Sequence, residues 1–105
     1  MKEMILYVSC DNLVQVDELY DVANSEYENS ATVTMELKDS DFEDVTDSAI
    51  TLSYIAASDG RYQGVLPDDL ALVANSKYFL EITSTASGVI RFDRIKCRAE
   101  YARGL

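Results

Sequence analysis

Period-two alternation of apolar and polar residues narrows this chain to very few folds. In ATVTMELKD, Ala31, Val33, Met35 and Leu37 fall on one side, with Thr32, Thr34, Glu36 and Lys38 on the other. That is the period of a half-buried strand. SAITLSYIA repeats it with Ile50, Leu52, Tyr54 and Ala56 inward, and KYFLEIT with Tyr78, Leu80 and Ile82 inward and Phe79 half covered. β-branched and aromatic residues crowd these runs, as pleated surfaces favour. MILYVS reads as a further strand. DNLVQVDELYDVAN reads as a strand through Val14 and Val16, although Leu13, Val16, Tyr20 and Ala23 also fit a helical stripe. Residues after Pro67 predict one helical turn, since proline suits a first helical position.

The last run, VIRFDRIKCRAEYAR, slips in phase: Ile90 and Phe92 are even-numbered, Ile95, Cys97, Ala99 and Tyr101 odd. One extra residue near Asp93-Arg94 would restore a single inward face, so a β-bulge is expected there. Regular strands, little helix and no βαβ rhythm predict a single domain over residues 1–105, all-β, an Ig-like antiparallel β-sandwich of about seven strands.

DGRYQGVLP (59–67) brings two glycines around an arginine and a tyrosine. Glycines that cradle phosphate sit between a strand and a long helix; these sit between two strand patterns. Asp59-Gly60 reads as a tight hairpin turn in which glycine supplies positive φ, with Tyr62, Gly64 and Leu66 returning as a strand. Gly60 and Tyr62 are therefore structural. Tyr78, entering a late strand after a short turn, reads either as a tyrosine corner bonded to upstream backbone or as a plain core residue.

The formal net charge of −10 repels phosphate backbones, so no nucleic-acid partner is expected. No apolar run approaches the roughly 20 residues of a membrane span. The N-terminus lacks a cleavage signature, so no secretion signal and no membrane association are expected. With no histidine in the chain, the commonest general base and zinc ligand are missing, and the chain reads as no enzyme. Cys10 and Cys97 lack a CxxC or Cys/His context and read as reduced, buried thiols, an end-to-end bridge staying geometrically open.

DSDFEDVTD (39–47) carries five carboxylates, but Asp44 stands where a calcium loop needs glycine and Ile50 where it needs glutamate. It reads as a solvated acidic loop, with no metal and no cofactor expected. Asp68 and Asp69 as an acid/base pair point apart as neighbours on a loop. Five of the nine basic residues, Arg91, Arg94, Lys96, Arg98 and Arg103, lie in the final run. They guard an exposed edge or dock on an acidic neighbour, and Arg94, Lys96 and Arg98 are the candidate interface residues. Tyr7, out of phase with Met4, Leu6 and Val8, and Tyr27, in a polar stretch, are the tyrosines expected to be exposed at an interface.

DELYDVANSEYENSATVTMELKD, AITLSYIAASDGRYQGVLP and ANSKYFLEITSTASGVIRFDR together resemble the small Ig-like structural proteins of tailed bacteriophages and prophages. The likeness lies in strand and turn order over about residues 13–102 and brings no catalytic residues. It implies a head–tail or tail-associated component that docks on other virion or assembly proteins or on its own copies. Such a protein would be found in the host cytoplasm during assembly and then in the virion. An Ig-like binding or adhesion module for carbohydrate or calcium is the alternative.

Overall fold

Where apolar and polar residues alternate, strands form. The computed structural model describes residues 3–17, 19–21, 26–86 and 88–101, and among them the chain is all-β with no helix. The strands are β1 (Met4–Tyr7), β2 (Asn12–Val16), β3 (Tyr20–Asp21), β4 (Glu26–Tyr27), β5 (Thr32–Asp39), β6 (Ile50–Tyr54), β7 (Tyr62–Leu66), β8 (Lys77–Ala86) and β9 (Val89–Glu100). Seven of them make one sheet in the order β1-β9-β8-β5-β6-β7-β2, while β3 and β4 form a separate hairpin.

β6 holds the two halves of this sheet together. Its first residues pair with β5, Met35 opposite Ile50 and Val33 opposite Leu52. Its last two pair with β7, Ser53 opposite Gln63 and Tyr54 opposite Tyr62. The sheet thereby curls until it is nearly barrel-shaped, with β1 and β2 at its two edges. It is mixed, which corrects the expectation of a wholly antiparallel structure. β1 runs parallel to β9, Met4 opposite Cys97 through Tyr7 opposite Glu100. Alternation fixes which face a strand buries but not its direction, and only the long path from β1 to β9 allows a parallel pair.

The concave face holds the core. Val33, Met35 and Leu37 of β5 and Tyr78, Leu80 and Ile82 of β8 are buried, and they meet Leu6, Leu52, Leu66 and Cys97. Each large side chain so buried contributes about 1.5–3 kcal/mol. Ala56 lies beyond the end of β6 and is exposed. The strand reading of the N-terminal third holds for β2, which pairs with β7 along its whole length and buries Val14. Residues 18 and 22–25 of that stretch lie outside the described residues.

Three local expectations are corrected. No bulge interrupts β9: its register with β8 is unbroken from Lys77 opposite Arg98 to Ala86 opposite Val89. The slip in sequence phase is instead a real change of environment. β1 covers only Cys97–Glu100, so along 89–96 β9 is the margin of the sheet, and the unbroken register puts Ile90 and Phe92 on its convex face, where both are exposed. After Pro67 there are turns rather than a helical turn. Leu70 is drawn into the core, and Asn75 N–H bonds to Ala99 O (2.7 Å) while Ala99 N–H bonds to Ser76 O (3.0 Å). Docking against β9 replaces the local helical bonds. Finally, Asp59-Gly60 closes no two-residue hairpin; the loop between β6 and β7 spans 55–61, closed by Ile55 N–H on Arg61 O at 2.8 Å.

Candidate interface on the last strand

Backbone polarity of β9 can be read from its bonds. Glu100 O accepts Val8 N–H on the β1 side, whereas Ala99 exchanges bonds with Asn75 and Ser76 on the opposite side. N–H and C=O of one residue point the same way in a strand and alternate along it. Odd-numbered residues thus bond toward β8, and Ile90, Phe92, Arg94 and Lys96 direct their backbone groups away from it. Among the described residues β1 covers β9 only from Cys97 onward, so the edge along 89–96 is open.

The same even-numbered residues put their side chains on the convex face. Ile90, Phe92, Arg94, Lys96 and Arg98 form one row there, every one exposed. The predicted trio Arg94, Lys96 and Arg98 is brought together, but its members differ in freedom. Arg94 donates to Glu81 Oε2 through Nε (3.0 Å) and Nη2 (2.7 Å). Its guanidinium also lies between two rings, 4.9 Å from the centre of Phe42 and 5.6 Å from that of Phe92. Phe42 in turn stacks on Phe79 at 4.7 Å. Arg98 reaches Glu3 at 3.6 Å. Lys96 has no ion pair among the described residues. The trio is a graded patch, from a clamped arginine to a free ammonium.

Tyr7 extends this row, facing out beside Glu100 and 44% exposed. Tyr27 is exposed too, but on the separate β3–β4 hairpin, where its ring meets Tyr20 edge-on at 5.3 Å. The tyrosines therefore do not share one patch. The sequence pattern assigned Phe42, Phe79, Glu81 and Tyr20 no place in the interface. A phenylalanine inside the acidic run 39–47 was the available signal, since nothing polar explains it.

The residues read as structural lie elsewhere. Gly60 has φ +66°; its N–H bonds to Asn29 Oδ1 and its carbonyl accepts Leu19 N–H, both at 2.8 Å. Tyr62 is buried, its hydroxyl donating to Glu28 O (2.7 Å) and accepting from Ala31 N–H (3.0 Å). Gly60 and Tyr62 thus tie the β2–β5 connection to the β6–β7 loop and the start of β7. The Tyr78 hydroxyl accepts from Val73 N–H (2.8 Å), five residues upstream, on a side chain that is also core.

The acidic loop satisfies itself. Asp39 Oδ1 accepts from Asp41 N–H and Glu43 N–H, and Asp44 pairs with Lys38, which also meets Glu36 at 2.8 Å. Asp44 and then Glu36 hold the Lys38 ammonium above its ordinary range, while Lys38 holds the Asp44 carboxyl below its own. Among the described residues no three acidic or cysteine side chains converge as a metal site would require. Cys10 and Cys97 are free thiols. Comparison with known proteins finds no family model that matches this chain and no curated protein that matches it.

Proposed function

We propose that this chain is a non-enzymatic assembly protein with an Ig-like fold, a virion component of a tailed phage or prophage in its head–tail or tail region. It works by docking the convex face of β9 on a partner. The observation that carries this is the exposed row Ile90, Phe92, Arg94, Lys96 and Arg98, apolar at one end and cationic at the other, on a chain of net charge −10. A cationic stripe on an acidic protein favours oppositely charged assembly partners, acidic copies of itself included. The Ig-like reading is supported by the sheet order, with the first strand parallel to the last at one edge and β6 shared between two halves.

Mass spectrometry of particles released from the host that carries the gene tests this. The chain should co-purify with them, and Lys96→Glu with Arg98→Glu should remove it while leaving its circular dichroism unchanged. Arg94 is kept in that variant because it is bonded to Glu81. Association should weaken with salt, since exposed charges are screened over about 8 Å at physiological ionic strength. Absence from the particles would overturn the assembly reading.

A second reading, a carbohydrate-binding module, is favoured by one feature of the same face. Thr34, Thr51 and Thr83 line a groove of about 290 Å³ with Glu36, Glu81 and Phe92. Hydroxyls, carboxylates and a ring are what a sugar face recognises. Binding on a glycan array that is lost in Phe92→Ala would favour this reading.

A further inference from the structure

We propose that the open edge of β9 pairs antiparallel with the same edge of a second copy of this chain, about a two-fold axis through Phe92. The inference rests on the docking reading above only in taking β9 as the working surface; it adds the partner and the register.

Natural sheets blunt long edges with proline, bulges, brevity or charge, inward-pointing charge included. Of these β9 carries only charge, and its inward residues Arg91 and Asp93 are of opposite sign, so a second copy can match them instead of being repelled. Along 89–96, β9 has no proline, its ladder with β8 is unbroken, and its sequence is VIRFDRIK. Val89 is 71% exposed, Ile90 68% and Phe92 53%. A row of unpaired backbone groups flanked by such side chains is a template for another strand.

Parity limits the register. Hydrogen bonds between two copies form only when outward-pointing residues face each other, so even-numbered residues must meet even-numbered ones. Of the registers that overlap most of the open edge, one is centred on Asp93 and sets that carboxylate against itself. Centres at Arg91 or Arg94 set arginine against arginine. The centre at Phe92 has no such conflict. It places Phe92 opposite Phe92 in a hydrogen-bonded pair, with Cα atoms about 5.5 Å apart. Arg91 then faces Asp93 twice, in the closer non-hydrogen-bonded positions where cross-strand charges interact most strongly. Val89 faces Ile95 on the same side. Within one chain Arg91 already meets Asp93 at 3.1 Å; the order basic, aromatic, acidic is self-complementary on reversal, so the pair is exchanged between copies without leaving a charge unmatched.

The joined molecule would be one continuous sheet across two copies, with the Phe92 rings side by side on the convex face. An isologous contact of this kind closes on itself and does not propagate.

Sedimentation of the full chain over a concentration series tests the proposal. The wild-type protein should dimerise. Asp93→Arg should weaken dimerisation by roughly tenfold or more, because it converts two attractive cross-strand pairs into repulsive ones. The charge swap Arg91→Asp with Asp93→Arg should restore it, which a merely structural effect of either residue would not do. As a register check, Phe92→Cys in a Cys10→Ser background should form a disulfide-linked dimer on mild oxidation, while Lys96→Cys in the same background should not. A wild-type monomer at every concentration overturns the proposal, as does a dimer insensitive to Asp93→Arg or one that the swap fails to restore. None of those outcomes touches the particle test above, so the two readings fail separately.

Discussion

Two glycines with nearly the same backbone conformation provide a controlled comparison of strain with steric exclusion. Gly60 has φ +66° and Gly88 +79°, so alanine at either carries a left-handed penalty of about 1 kcal/mol. Their surroundings differ. A Cβ at Gly60 would lie 2.4 Å from Leu19 O and 2.8 Å from Leu19 N, whereas at Gly88 nothing lies within 4 Å. The Leu19 backbone cannot yield by itself, since its N–H bonds to Gly60 O and its carbonyl accepts Glu28 N–H, both at 2.8 Å. Separating the two loops loses the Leu19–Gly60 bond and the Gly60–Asn29 bond, about 1 kcal/mol each. Gly60→Ala should therefore cost about 3 kcal/mol and Gly88→Ala about 1. For 105 residues, an unfolding entropy of about 2.1 cal/mol/K per residue turns 1 kcal/mol into a Tm shift of about 4–5 °C. Scanning calorimetry should show Tm falling by about 13 °C for Gly60→Ala and about 4–5 °C for Gly88→Ala. Equal losses would refute the reasoning, because strain alone would then account for both positions.

Tyr62→Phe should destabilise by about 2 kcal/mol, since Glu28 O and Ala31 N–H both lose their partner; Tyr54→Phe, which loses only the bond to Ser58 O, should cost about half as much, both read from urea midpoints at constant slope. Burial pushes the Cys97 thiol up to about 11. An unfolded cysteine ionises near 8.5, so below that pH both states are neutral and stability is unaffected. From there to about 11 the Cys97 thiol ionises only in the unfolded chain; stability should fall across this window. Cys97→Ala should flatten the slope at its lower end, while nearer 11 Tyr62 and Lys38, also raised in the folded state, still contribute. Under native conditions an alkylating reagent should modify half-buried Cys10 well before Cys97. Chelator or millimolar calcium should leave Tm unchanged, because Asp39 and Asp44 are already committed to backbone N–H groups and Lys38; a rise of several degrees would point to a bound ion.

Faces were legible in the sequence, and directions were not. Val33, Met35, Leu37, Leu80 and Ile82 alternate with polar neighbours, so burial could be assigned from period alone. The sense of β1 beside β9 depends on contacts between residues more than ninety apart, which no local pattern encodes. The misplaced bulge has a related cause. Ile90 and Phe92 were assumed to be buried because they are apolar, and the unbroken register puts them outside. At the candidate interface the basic row could be read from spacing, but the clamp on Arg94 could not. It needs Phe42, whose ring reaches the convex face from another loop, and Glu81 on the neighbouring strand. Chemistry assembled from three separated segments leaves no periodic trace.

The parallel pairing of β1 with β9 also decides how the molecule bears tension. Met4 sits beside Cys97 and Tyr7 beside Glu100, so a pull on the N-terminal end of β1 and the C-terminal end of β9 draws the two strands past each other along their length. The registered pairs then carry the load together and must rupture together. An antiparallel pair at the same edge would be gripped at one end and peel apart one bond at a time. Stretched between its ends, the protein should hold until a single abrupt break.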